Sequence, residues 1–223
     1  MAFILAIETT TKNCSVALFE NKKLLVLKEC CSDDYSHAEK LTLFIEEVIK
    51  SDNLLLKEIE AIAISKGPGS YTGLRIGTST AKGLCYALDI PLISISTLKA
   101  MAFTMAQDQV ADIYCPMIDA RRLEVFSAVY DKDNKEIREV QADIVNEQTY
   151  TNYLKRKMLF FGDGALKCKE IINDKNAHFL KDIYPSAKNL GVLANTKFIK
   201  KDFEDVAYFE PYYLKDFVTG KKD

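Results

Sequence analysis

The sequence predicts a two-lobe α/β protein in which each lobe is a mixed sheet that opens with a β-hairpin and is flanked by helices. Three observations lead there. Residues 3–8 (FILAIE) and 14–20 (CSVALFE) are β-rich runs joined by the short polar connection Thr9–Asn13, which reads as a hairpin. A second unit of the same kind, strands 113–118 and 124–130 around the turn Asp119-Ala120-Arg121-Arg122, opens the other half. Each unit then runs into alternating helical and strand patterns, so a duplicated plan is expected, with lobes at 1–107 and 112–223.

The elements follow in order. Residues 23–29 (KLLVLKE) add a third strand to the first hairpin. Ser36 and Glu39 have capping-box spacing, which predicts a helix start. Ala38, Leu41, Phe44, Ile45, Val48 and Ile49 then form one apolar stripe as far as Lys50. Ile59–Ser65 is a short apolar run suited to a buried strand. The segment 67–73 (GPGSYTG) is a turn before a long helix to Leu88, and Pro91 stops the chain before strand Leu92–Ser96. A helix over Thr97–Gln107 closes the first half. In the second half, 131–135 is a surface turn, 147–156 a helical stretch and 158–162 a strand, with a further helix after Gly164. Residues 208–217 read as extended and aromatic.

At 223 residues, with 48% hydrophobic and 28% charged residues, the chain can bury a sizeable core. Thirty Lys and Arg against 32 Asp and Glu leave a net charge of −2, too little to draw in a phosphate backbone, so direct strong nucleic-acid binding is not expected. The only apolar N-terminal run, residues 2–7, lacks a basic lead and is too short to span a bilayer, so a cytoplasmic protein without a membrane segment is expected. Six cysteines show no CxxC spacing and read as reduced core thiols. The two histidines, His37 and His178, lie far apart in sequence, which disfavours a local metal site.

Gly67 to Gly77 (GPGSYTGLRIG) is the most unusual stretch. It is neither a Walker loop, since no Lys follows Gly73, nor a dinucleotide fingerprint, since its glycines are misspaced. Gly73, Gly77 and Ala81 recur every four residues along one helical face. Small residues at that spacing admit a close neighbour, either the chain's own first helix or helices of another protein. On the second reading the two long helices form a partner surface carrying Ser36, His37, Leu41, Leu43, Ile45, Gly73, Arg75, Gly77, Thr78, Ala81 and Lys82. Leu43 lies off the apolar stripe and is a candidate anchor. Arg75 in the first helical turn opposes the helix dipole and calls for a carboxylate or a phosphate-bearing ligand, unless it is simply solvated. His37 reads as a surface histidine, with no nucleophile near it in sequence. Thr9, Thr10 and Thr11 could offer hydroxyls and N–H groups to a phosphate, with Asp119 in the equivalent turn and Gly162-Asp163-Gly164 as a tight turn nearby. Threonines are also ordinary turn residues. No catalytic residue and no metal ligand is assigned.

Taken together, residues 4–10 (ILAIETT) with 14–18 (CSVAL), Ser36-His37-Ala38-Glu39, the glycine segment, 80–84 (TAKGL), 117–122 (MIDARR) with Glu124-Val125-Phe126, Gly162-Asp163-Gly164 and 211–215 (PYYLK) closely resemble the TsaB family. Its members are accessory subunits of bacterial threonylcarbamoyladenosine formation in tRNA. They are inactive, glycoprotease-like paralogues of the threonylcarbamoyl-transferring subunit, with the fold of actin, sugar kinases and heat-shock chaperones. The resemblance implies a non-catalytic scaffold that binds the transferring paralogue through the two N-lobe helices and meets tRNA only indirectly. It also implies a small ATPase subunit as a further partner, self-association through the same helices, and room for ATP or ADP where subunits meet, with no cofactor required by this chain. The rival expectation is an ATP-binding or ATP-hydrolysing enzyme of the same superfamily. Two features depart from the pattern: position 8 is Glu where Asp is frequent, and the metal-binding histidine pair of the catalytic paralogue has no counterpart.

Overall fold

The computed structural model describes residues 2–32, 37–52 and 54–215. Each lobe is built on a five-stranded sheet. The first contains β1 (Phe3–Glu8), β2 (Asn13–Glu20), β3 (Lys23–Cys31), β4 (Ala61–Ser65) and β5 (Leu92–Ile95), in the order β3-β2-β1-β4-β5. β1, β2 and β3 are antiparallel, and β4 and β5 join in parallel. The second contains β6 (Ile113–Asp119), β7 (Glu124–Asp131), β8 (Glu136–Ile144), β9 (Met158–Phe161) and β10 (Ala177–Phe179), in the order β10-β9-β6-β7-β8. The pairing senses match those of the first, so the duplicated plan holds at the level of topology.

The central strands of the first sheet are buried on both faces, and side-chain alternation assigns each face a partner. Leu5, Ile7, Val16, Leu18, Ile62 and Ile64 share a core with α1 (His37–Ser51) and α2 (Tyr71–Leu88). Ile4, Ala6, Ala17, Phe19, Ala61 and Ala63 face the other way, onto Ala187, Leu190 and α4 (Gly191–Ile199). A Cβ on Gly191 would overlap the Phe19 ring, which fixes how closely α4 lies on β2. α1 carries Glu39 in its first turn and Lys50 in its last, matching the helix dipole, and α2 is capped by the Ser70 hydroxyl, which accepts from Gly73 N at 3.3 Å.

The linker at 107–112 separates the two sheets but not the helices. α3 (Thr97–Ala106) lies before it and packs on the second sheet through Leu98, Met101 and Ala102. α4 lies after it and packs on the first. Each sheet is therefore covered in part by a helix from the other side of the linker.

Three expectations for the second half are corrected. Residues 147–156 form successive turns, not a helix: Asn146 Oδ1 accepts from Gln148 N at 2.9 Å and from Thr149 Oγ1 at 3.1 Å, so side chains compete for the groups a helix would need. Tyr150 and Leu154 are still buried from this segment. After Gly164 there is only a 3₁₀ turn, Leu166–Cys168. β8, β10 and α4 are elements that the sequence pattern did not announce. Residues 208–215 are non-regular, and the rest of the expected aromatic tail lies outside the described residues, as does Ser36 with its capping box. No helix among the described residues is long and apolar enough to cross a membrane.

The second sheet is pinned to the 147–156 turns by a buried polar cluster. Arg138 donates to both oxygens of Asp143, at 2.9 and 2.5 Å, while Ser127 Oγ at 2.5 Å and Tyr150 OH at 3.0 Å donate to Oδ2. Burial would raise the Asp143 carboxyl, but the hydrogen bonds from Arg138 and Ser127 and the Arg138 charge outweigh it and hold the group below its ordinary 3.8. Removing one member of such a pair strands a buried charge. Asp143→Ala is expected to cost about 3 kcal/mol in urea unfolding. Because the folded carboxyl titrates below the unfolded one, its contribution is complete above about pH 5 and is lost as pH falls below 3.8; the stability difference between the wild type and Asp143→Ala should shrink on acidification.

Candidate functional site

The two hairpin turns face each other across a cleft of about 900 Å³. Thr10, Thr11, Lys12 and the glycine loop Gly69–Gly73 line one side. Ile118, Asp119, Ala120, Arg121, Phe126 and Asp163 line the other, and Tyr184 and Tyr212–Lys215 complete the rim. Of the threonine turn, the Asp119 turn and the Gly162 turn, the structure brings Thr10, Thr11, Asp119 and Asp163 to this cleft. Lys12, Tyr184 and the 212–215 segment were missed as lining groups, because only the tertiary fold brings them there.

The first hairpin turn is held by backbone-to-backbone approach. Ser70 N donates to Thr10 O at 2.7 Å, and Thr9 Oγ1 donates to Gly73 O at 2.7 Å. A Cβ on Gly69 would overlap Thr10, and a Cβ on Gly73 or Gly77 would overlap Thr9. Gly67 lies at φ +107, where its missing Cβ leaves room for Tyr212 O. Of the small-residue stripe expected to face the first helix or a foreign helix, Gly73 and Gly77 thus face the Thr9–Thr11 turn of the same chain, while Ala81 lies in the core shared with α1. Gly73, Gly77, Thr78 and Ala81 are all buried.

The acids and hydroxyls of the cleft are committed to this internal network. Glu8 is fully buried, and its Oε1 accepts from Thr10 N at 2.6 Å and Thr10 Oγ1 at 2.5 Å. Burial pushes its carboxyl up, against the pull of hydrogen bonds from Ser65 and Thr10. His37 is buried too, not a surface residue, and its Nε2 lies 2.8 Å from Thr11 O. Burial holds its imidazole below the ordinary histidine range, so it is neutral near pH 7 and donates to that carbonyl. On the facing turn, Asp119 Oδ1 accepts from Lys167 Nζ at 2.5 Å and from Arg121 N at 2.7 Å, and Asp119 N donates to Asp163 Oδ1 at 2.9 Å. Burial raises the Asp163 carboxyl. Gly162 and Gly164 press against Met117, Val125 and the Asp119 backbone, where a Cβ would overlap the Met117 carbonyl or crowd Val125.

A metal–nucleotide centre needs a free carboxylate and turn hydroxyls aimed into the cleft. Glu8 is buried onto Thr10 and the Thr9 hydroxyl is spent on Gly73 O, so these two groups do not fit such a centre, whereas Asp119, though paired with Lys167, lines the cleft. Among the described residues, no group of three His, Cys, Asp or Glu side chains is placed to hold a metal ion.

The remaining predicted partner-surface residues divide by face. Leu41 and Ile45 are core residues of α1, while Leu43 is 55% exposed. Arg75 is exposed and lies over the Tyr71 ring, 5.4 Å from its centroid, and Tyr71 in turn meets Tyr213 at 5.1 Å. Lys82 Nζ donates to Ala207 O at 3.0 Å and Phe209 O at 3.1 Å, strapping the C-terminal segment onto α2. What sequence reasoning missed is the outer side of α2. There Gly83 has no atom within 4 Å of a would-be Cβ, and Tyr86 is 87% exposed. Both sit near the quoted 80–84 motif, but no spacing rule separates a glycine facing out from one facing in.

A family model described as tRNA N6-adenosine threonylcarbamoyltransferase (TsaD) matches residues 33–221. The tRNA threonylcarbamoyladenosine biosynthesis protein TsaB of Haemophilus influenzae is 30% identical over 228 residues, covering 98% of this chain and 96% of the relative. TsaB of Escherichia coli is 31% identical over 229 residues, covering 98% and 97%. YeaZ from Pseudomonas aeruginosa superposes with a TM-score of 0.85 at 23% identity, covering 96% of this chain and all of that one, which speaks for the fold.

The inward glycines set up a test of sign. Alanine is favoured over glycine in a helix by about 1 kcal/mol, while overpacking typically costs about 1–3 kcal/mol. At Gly73 the added Cβ meets a backbone carbonyl that cannot swing away, so the clash wins. Gly73→Ala is expected to lower stability by about 1–2 kcal/mol in thermal or urea unfolding.

Proposed function

The chain belongs to the TsaB branch of the threonylcarbamoyltransferase family, and from that premise we propose that it is the non-catalytic scaffold subunit in formation of threonylcarbamoyladenosine in tRNA. In this reading it acts in the cytoplasm, binds and orients the threonylcarbamoyl-transferring paralogue, and touches tRNA only through that partner. The observation that carries the reading is Gly83. It lies inside α2 with nothing within 4 Å of its missing side chain, so the helix gives up about 1 kcal/mol without any packing return inside the chain. Beside it Tyr86 is almost wholly exposed, and Leu43 stands out from α1. Bare backbone next to an exposed aromatic and a leucine suits the close approach of a second helical surface.

The commitment of Glu8 and Thr9 to internal bonds supports the absence of transfer chemistry in this chain. A nucleotide, ATP or ADP, would then belong to the assembled interface and not to the isolated cleft. Self-association through the same outer face would compete with the paralogue, and a small ATPase subunit would join the assembly elsewhere. The partner surface is accordingly moved from the inward stripe Gly73, Gly77 and Ala81 to the outward residues Leu43, Gly83 and Tyr86.

Gly83→Ala should raise stability by about 0.5–1 kcal/mol, since the position is open and only helix propensity changes. Gly83→Phe should leave the melting temperature of the isolated chain at or above that of the wild type, yet abolish co-purification with the transferring paralogue and reduce threonylcarbamoyladenosine in the tRNA of cells dependent on it. An intact complex with Gly83→Phe would refute the assigned surface. Micromolar ATP binding with hydrolysis by the isolated chain, measured by calorimetry and phosphate release, would favour the enzyme reading instead.

A further inference from the structure

Two thiols and an amine meet at the edge of the first sheet, away from the cleft. Cys14 on β2 stands directly opposite Cys30 on β3 in the antiparallel ladder. Lys12 O accepts from Ser32 N at 3.3 Å, which makes 12 and 32 a hydrogen-bonded pair; two residues along each strand, 14 and 30 are a pair of the same type. Such pairs have Cα atoms about 5.5 Å apart, inside the range of about 4.4–6.8 Å that a disulfide spans. Cys14 belongs to the core shared with α1, and Lys40, on α1, places its Nζ 2.9 Å from Cys30 Sγ, so both sulfurs lie on the α1 side of the sheet.

We propose that Cys14 and Cys30 form a reversible cross-strand disulfide driven by hydroperoxides, with Lys40 as the residue that makes Cys30 the attacking sulfur. Cys30 is half-buried and reachable, whereas Cys14 is buried and can be reached only by its cross-strand neighbour. An ammonium donating to sulfur stabilises the negative charge that the sulfur carries as it attacks. In the first step the Cys30 thiolate displaces hydroxide from hydrogen peroxide, giving a sulfenic acid: sulfur is oxidised, the O–O bond breaks and the hydroxide takes up a proton as water. In the second step Cys14 attacks the sulfenic sulfur, the S–S bond forms, and the sulfenic oxygen leaves with the thiol proton as water. A dithiol reverses the bond by exchange. Burial, and after it the charge of Cys30, hold the Cys14 thiol up at about 11, so Cys14 does not compete as the first attacker and condensation is the slower step.

The other cysteines provide the internal controls. Cys31 is exposed but paired opposite Asn13, Cys85 is buried on α2, and Cys115 and Cys168 are buried together in the core of the second sheet. The experiment treats the full chain with hydrogen peroxide, blocks remaining thiols, and maps peptides without and with reduction, alongside the variants Lys40→Met, Cys14→Ser and Cys31→Ser. Expected are a Cys14–Cys30 linked peptide that dithiothreitol removes, its persistence in Cys31→Ser, a dimedone-trapped sulfenic acid at Cys30 in Cys14→Ser, and oxidation of Cys30 slowed on the order of five- to tenfold in Lys40→Met, the size of one Coulomb contact at this range. Circular dichroism checks that Lys40→Met, whose altered side chain sits at the surface, keeps its fold. Linkage of Cys30 to Cys31 or between molecules, over-oxidation of Cys30 without linkage to Cys14, or a rate unchanged in Lys40→Met would each overturn the proposal.

Discussion

The structure depends on one close approach, that of the Thr9–Thr11 turn to the start of α2. Thr9 Oγ1 to Gly73 O and Ser70 N to Thr10 O are bonds across many residues of sequence, and they exist only because positions 69, 73 and 77 carry no Cβ. Any side chain there would push the turn away from the helix. The first hairpin, the glycine loop and α2 consequently behave as one rigid unit that forms the wall of the cleft and fixes the direction in which α2 shows its outer face.

That same approach decides the chemistry of the cleft. A hairpin turn can aim hydroxyls and N–H groups outward at a phosphate, or it can spend them on its own neighbours. Here Thr10 closes on Glu8 and Thr9 on Gly73, while His37 donates to Thr11 from the first turn of α1. The facing turn does the equivalent with Lys167 bridging Asp119 and the carbonyls of Arg122 and Glu124. Polar residues in these positions therefore stabilise the two loops.

The two lobes are also interlocked more than a simple tandem repeat requires. The sheets are duplicates in strand order and pairing sense, yet α3 crosses to the second sheet and α4 returns to the first. The C-terminal segment adds a further tie: Lys82 holds the carbonyls of Ala207 and Phe209, and Tyr212 N donates to Lys66 O at the base of the glycine loop. The C-terminal segment is thus tied both to the body of α2, the helix that carries the proposed partner surface, and to the loop before it.

Sequence alone determined what depends on local periodicity: the two hairpins with the β3, β4 and β5 strands, the limits of α1 beyond its start, and α2 from Tyr71 to Leu88, because alternation and a 3.6-residue stripe are short-range signals. It also marked Gly67–Gly77 as a place of unusual demand. Local pattern failed where side chains compete with helical bonding, as in 147–156, and where a strand is half-exposed at a sheet edge, as in β8. Only the tertiary structure decided which way the helix surfaces point. Gly73 and Gly83 are the same residue in the same helix, but one lies against the Thr9 carbonyl and the other against nothing, and that difference comes from the position of a hairpin more than sixty residues earlier in the chain.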